Sequence, residues 1–121
     1  MMLAYKLFGS GLNTLTVEAM KDASVGLTAT GTVQGDAYEV TTSKAGFSTV
    51  AAGTGAILDS DAAAGDSQMI YNGGANALSV YPPSGASINN AAANAAVLVP
   101  SASACEFFCL STTLWTGILS R

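Results

Sequence analysis

The sequence predicts an all-β protein, an antiparallel β-sandwich preceded by an N-terminal arm. Two observations lead there. Short runs rich in β-branched and aromatic residues start at intervals of roughly 8–12 residues, the spacing of a sandwich or barrel. Gly, Pro, Asn, Asp and Ser bound nearly every run, and these residues terminate strands and form turns. The 121 residues fit one domain, large enough to bury a core without a metal or disulfide staple.

Residues 1–24 differ from the rest and are read as an arm. Within it "NTLTVEAMKDAS" carries the densest charge, Glu18, Lys21 and Asp22. Thr14 or Thr16 suits the N-cap of a short helix with Leu15, Val17 and Met20 as its apolar positions. An uncapped arm fits the same residues equally well. The apolar side chains Leu3, Tyr5, Leu7, Phe8, Leu12, Leu15, Val17 and Met20 have no obvious place in a sandwich, so they are assigned to contacts with a partner.

Residues 25–121 form the sandwich. Ala37–Thr42, Phe47–Ala52 and Gly55–Leu58 are its first strand candidates. "QMIYN", "ALSVY", "AAVLVP", "ACEFFCL" and "LWTGIL" follow. Between Met69–Tyr71 and Leu78–Tyr81 stands Asn72-Gly73-Gly74-Ala75-Asn76, residues that tolerate positive φ. Met69–Tyr81 is therefore read as an antiparallel hairpin. Leu78 and Val80 share one face of its second strand. Pro82 and Pro83 end that strand because they donate no ladder hydrogen bond, and Ser84-Gly85 turns the chain. "ASINNAAANAA" is read as a loop, with or without a helical turn, that leads into a strand ending at Pro100. In Ala104–Leu110 strict alternation places Cys105, Phe107 and Cys109 on one face, with Glu106 and Phe108 on the other. Phe107 and Trp115 join the expected core.

Reactive chemistry is scarce. The chain has no histidine, which removes the Ser-His-Asp triad, the Cys-His pair and His-ligated metal sites. Cys105 and Cys109, four apart on one strand, lie about 13 Å from each other, too far for a disulfide. They read as small buried hydrophobes. "LDSDAAAGD" opens like a calcium loop at Asp59 and Asp61 but lacks the central Gly and the closing Glu, so a solvated connection including Asp66 is the stronger reading over a weak cation site. Tyr71, Tyr81 and Trp115 suit a sugar-stacking platform, but core or subunit contact is the commoner use of such residues. The glycine-rich turn is no phosphate loop, since it lacks Lys-Ser/Thr and no amphipathic helix follows. No cofactor is expected.

Charge excludes further classes. The net charge is −4, and the basic residues are Lys6, Lys21, Lys44 and Arg121, scattered along the chain. No basic cluster of the kind that neutralises phosphates is present, which argues against nucleic-acid binding and against an anionic membrane surface. No apolar run nears the ~20 residues needed to span a bilayer. The N-terminal apolar patch, interrupted by Lys6, is too short for a signal-peptide core, so synthesis and use without Sec-type secretion are expected. Apolar residues make up 50% of the chain and charged residues 10%. An ordinary soluble domain carries about 25% charged residues. A surface so poor in charge is expected to be dressed in Ser, Thr, Asn and Gly and covered by other subunits.

The stretch Gly65–Leu110 resembles a recurrent module of tailed-phage virion proteins. The likeness is carried by "AGDSQMIYNGGANALSVYPPSGASINN", "ANAAV" and "EFFC" followed by a Trp, with "LTATGTVQGDAYEV" and "VAAGTGAIL" upstream. It covers about three-quarters of the chain, omits residues 1–24, and is built of turn residues: Asn72, Gly73, Gly74, Pro82 and Gly85 among them. Asn89-Asn90 stands where the module would have Asn-Gly. The resemblance implies a jelly-roll-like sandwich without catalysis. It implies a capsid decoration (cement) protein made in the host cytoplasm and carried on the phage head. The major capsid protein is then a partner. Self-association is also expected, as a homotrimer first and a dimer next. A tail- or head-fibre module binding host glycans is the alternative. A histidine-free glycosidase is the third reading, and would need two carboxyls across a cleft.

Overall fold

A computed structural model describes residues 22–120. The arm residues Leu3 to Met20, and the helix considered there, lie outside the described residues.

Ten strands and one 3-10 turn, Gln34–Asp36, make up the fold, with no α-helix among the described residues. The strands are β1 (Ala23–Thr28), β2 (Tyr38–Glu39), β3 (Lys44–Thr49), β4 (Gly55–Ile57) and β5 (Ser67–Asn72). They continue as β6 (Leu78–Tyr81), β7 (Ser87–Ile88), β8 (Val97–Val99), β9 (Ser103–Ser111) and β10 (Leu114–Ser120). All eight runs predicted from the sequence overlap strands. β1 starts inside the stretch assigned to the arm. β7 lies in the stretch read as a loop.

Two sheets face each other, as a sandwich requires, but the antiparallel jelly-roll arrangement does not occur. The six-stranded sheet has the order β1-β3-β5-β9-β10-β7 and the four-stranded sheet β2-β4-β6-β8. From β1 to β6 the chain alternates between the sheets, one strand in each. Successive passes stack in parallel: β1 on β3, β3 on β5, β2 on β4 and β4 on β6. Ala23 pairs with Lys44 and Lys44 with Met69, so each circuit returns beside the last after a coil's length of chain. This is the winding of a short β-solenoid.

The winding then reverses. β7 crosses to the far edge of the large sheet, parallel to β10. β8 and β9 run antiparallel to β6 and β5, and β9 and β10 form a hairpin about Thr112-Thr113. The Met69–Tyr81 hairpin is likewise corrected: β5 and β6 belong to different sheets and do not pair. A turn of Gly and Asn serves as well for an arch between sheets as for a hairpin within one. The choice was made by burial. Both faces that point inward, Ile70 on β5 and Leu78 with Val80 on β6, are fully buried and meet only if the sheets stack.

The core lies between the sheets. Phe47, Ile70, Phe107 and Trp115 enter from the large sheet and Ala56, Leu78, Val80 and Val99 from the small one, each at most 1% exposed. Tyr38 packs edge-on against Phe47, with ring centroids 5.7 Å apart, and so joins β2 to β3 across the sheets.

Two buried amides at the ends of β5 hold the coils together. Gln68 donates to the carbonyls of Val40 (2.8 Å) and Thr42 (3.0 Å) and accepts from the Asp59 N–H (2.8 Å). Asn72 donates to the carbonyls of Asn76 (2.8 Å) and Val99 (2.9 Å) and accepts from the Gly74 N–H (2.9 Å). Backbone groups that no ladder reaches at these corners are thereby paired, as burial demands.

Candidate functional site

Three features are candidates, and the chemistry of each follows from what its side chains touch. The first is an open groove of about 560 Å³ at one end of the coils, lined among others by Asp22, Ser43, Lys44, Asp59, Asp66 and Gln68. Its carboxylates are occupied in building loops. Asp22 accepts from the Ser43 N–H, Asp59 from the Asp61 N–H, and Asp66 from the Ala63 N–H, each at 2.9 Å. Such bonds to nearby N–H groups are the ordinary use of Asp in turns. Among the described residues no group of three or more acidic or thiol side chains is placed to hold a metal ion. The Asp59 carboxylate and the Asp61 N–H thus close a turn.

The second feature is the thiol pair. Cys105 and Cys109 are free and 2% exposed. Burial, followed by the Glu106 carboxylate, pushes the Cys105 thiol up from 9.0 to about 11. Burial, followed by Asp66, raises Cys109 as well. A thiol held protonated in a packed interior is a poor nucleophile.

The third feature is the outer face of the six-stranded sheet. Strand alternation sends Phe47, Ile70, Phe107 and Trp115 inward, so their neighbours must point out. Along one row Lys44 pairs with Met69, Met69 with Glu106, and Glu106 with Ile118. Along the next, Gly46 pairs with Tyr71 and Tyr71 with Ala104. Val25 lies beside Gly46. Val25, Tyr71 and Ile118 are 84%, 44% and 61% exposed, and Met69 and Phe108 are half-buried. Lys44 and Glu106 are the only charges in the six strands. A sheet face with water on one side normally alternates apolar-in with polar-out. Here much of the outward set is apolar too.

The residues singled out in the sequence fall elsewhere. Asn72, Gly74, Leu78, Val80, Pro82, Phe107 and Trp115 are buried, while Gly73 and Gly85 are exposed. Gly85 has φ 86°, and the Ala86 N–H donates to the Pro83 carbonyl across that turn at 2.9 Å. The aromatic platform is not assembled: Trp115 points into the core, Tyr71 lies on the outer face of the large sheet, and Tyr81 belongs to the small sheet, where its hydroxyl reaches the Thr32 carbonyl. Sequence reading did not single out Met69, Ile118 or Val25. The signal was present, because inward-facing Gln68, Ile70 and Asn72 leave Met69 and Tyr71 outside.

Among the described residues the fold defines a short β-solenoid with an apolar outer sheet face. No protein-family profile, curated protein or solved structure matches the chain.

Proposed function

We propose that the protein is a structural binding module of a tailed-phage virion, a decoration protein that stabilises the head by bridging major capsid subunits. The observation that carries this reading is the exposed, charge-poor apolar surface of a rigid two-sheet scaffold, taken with the resemblance at Gly65–Leu110. Patches of this kind mark interaction sites more often than free surface. The work would be mechanical. Each copy buries apolar area on more than one lattice subunit, so separating those subunits costs more, and many weak links acting together reinforce one another. The arm, with Leu3, Tyr5, Leu7 and Phe8, is assigned to the lattice contact.

Electron microscopy of the intact particle tests the proposal. Hundreds of copies over capsid seams support it. A few dozen copies on a fibre favour the glycan-binding alternative, and absence from the particle rejects both. Leu3→Asp with Leu7→Asp is expected to release the protein from capsids, and unchanged binding would reject the role given to the arm.

A further inference from the structure

We infer that the outer face of the six-stranded sheet is a self-pairing surface, on which two copies stack about a two-fold axis running along β5. Such pairing goes beyond the capsid reading and occupies this face, which leaves the capsid contact to the arm and the rest of the surface. The face is not covered by any described residue. Its two charges sit symmetrically about β5: Lys44 on β3, Glu106 on β9, in one row with Met69 between them. Neighbouring strands are about 4.8 Å apart, so each charge lies about 4.8 Å to one side of Met69.

A rotation of 180° about an axis parallel to β5 exchanges left and right while keeping each row level. It therefore sets Lys44 of one copy over Glu106 of the other, and Glu106 over Lys44. This reciprocity is the signature of an isologous interface. The same rotation sets Met69 on Met69 and Tyr71 on Tyr71. In the Tyr71 row it sets Gly46 over Ala104, two small residues that leave room for the paired rings.

Size agrees with this pairing. The five longer strands, at ~4.8 Å spacing and ~6 residues of ~3.3 Å rise, offer a face on the order of 500 Å². Two such faces give roughly 1,000 Å², the lower bound of specific interfaces, so a weak dimer is expected. A flexible or glycan ligand offers no reason for charges of opposite sign at mirror positions. A second copy does.

The test is sedimentation equilibrium of the full chain and of four variants, with circular dichroism to confirm folding. The wild type is expected to form a dimer with a dissociation constant near the micromolar range. Lys44→Glu and Glu106→Lys each bring like charges together twice per dimer and are expected to weaken it roughly tenfold. The double variant, Lys44→Glu with Glu106→Lys, restores opposite pairing and is expected to recover the wild-type constant within about threefold. Tyr71→Arg places two cations on the axis and is expected to leave a monomer. A wild type that stays monomeric, a trimer, or a double variant no tighter than either single one would overturn the two-fold pairing. All the altered residues are at the surface, and the charge exchange decides the matter even if Tyr71→Arg fails to fold.

Discussion

Asn72 is fully buried at the corner where the chain leaves the large sheet for the small one, and its amide makes three hydrogen bonds. Replacing it by Ala removes all three, leaving the Val99 carbonyl and the Gly74 N–H without that contact in a buried site and the Asn76 carbonyl in a part-buried one. Each buried bond lost costs on the order of 1 kcal/mol or somewhat more, so Asn72→Ala is expected to destabilise the fold by about 3–4 kcal/mol. For a domain near 100 residues, each kcal/mol moves Tm by about 4–8 °C, giving a fall of roughly 12–32 °C. Asn72→Asp sharpens the test because it keeps the volume. The Nδ2 donor that faces two carbonyls becomes an acceptor. Desolvation and those carbonyls favour the protonated acid, raising its folded pKa above the unfolded value near 3.9. A group whose folded pKa is raised contributes stability that is present below the unfolded pKa and lost as pH rises through the folded one. The penalty of Asn72→Asp relative to wild type is therefore expected to be larger at neutral pH than in mild acid. Chemical denaturation at both pH values measures it. An Asn72→Ala cost below about 1 kcal/mol, or an Asn72→Asp penalty equal at both pH values, would refute the pivotal role given to this amide.

Other outcomes follow from the same geometry. A Cβ on Gly74 would lie 2.7 Å from Val50 Cβ and 2.8 Å from the Val50 nitrogen, so Gly74→Ala is expected to cost about 2–3 kcal/mol by thermal denaturation. Gly73→Ala, whose Cβ meets Tyr71 at 3.0 Å and the Phe47 carbonyl at 3.1 Å, is expected to cost less than Gly74→Ala. Both thiols should resist alkylation in the native protein at pH 8 and react on unfolding. Because the folded Cys105 thiol holds its proton to about 11, stability is expected to fall as pH rises from 9.0 toward that value, and a Cys105→Ala variant should show a flatter profile in a pH series of denaturant titrations. Asn89 and Asn90 have φ values of 54° and 64°. The Asn89 side chain binds both backbone groups of Gly117, whereas Asn90→Gly is expected to stabilise the protein by about 0.5–1 kcal/mol, read as a rise in Tm.

Much of the strand map was legible because alternation and turn chemistry are local. Cys105, Phe107 and Cys109 face inward and Glu106 outward, as period-two spacing requires. Asn89-Asn90, in place of Asn-Gly, still takes positive φ at both residues, a conformation Asn tolerates. β7 was missed because it is two residues long, Ser87–Ile88, and its pairing with Leu114 and Trp115 comes from a distant part of the chain. The acidic run was legible as a turn, since Asp59 and Asp66 each bond an N–H two to three residues away.

Pairing was not legible. β3 on β5 and β4 on β6 are parallel contacts between segments a full coil apart, and nothing in either segment distinguishes a parallel neighbour from an antiparallel one. Nor was the use of Gln68 and Asn72: in sequence they are polar interruptions of a strand, and only in the fold do they meet the carbonyls of Val40, Thr42 and Val99.

From its residues alone this chain was bound to be β-rich, histidine-free and poor in charge, with turns at its Gly, Pro and Asn clusters, because those properties depend on neighbours a few positions away. Which strands lie side by side, whether Asn72-Gly73-Gly74-Ala75-Asn76 bends within a sheet or arches between two, and which apolar side chains stay outside were settled in three dimensions. The reason is that burying Ile70, Leu78 and Val80 against one another is a free energy shared among distant segments, and no single segment carries it.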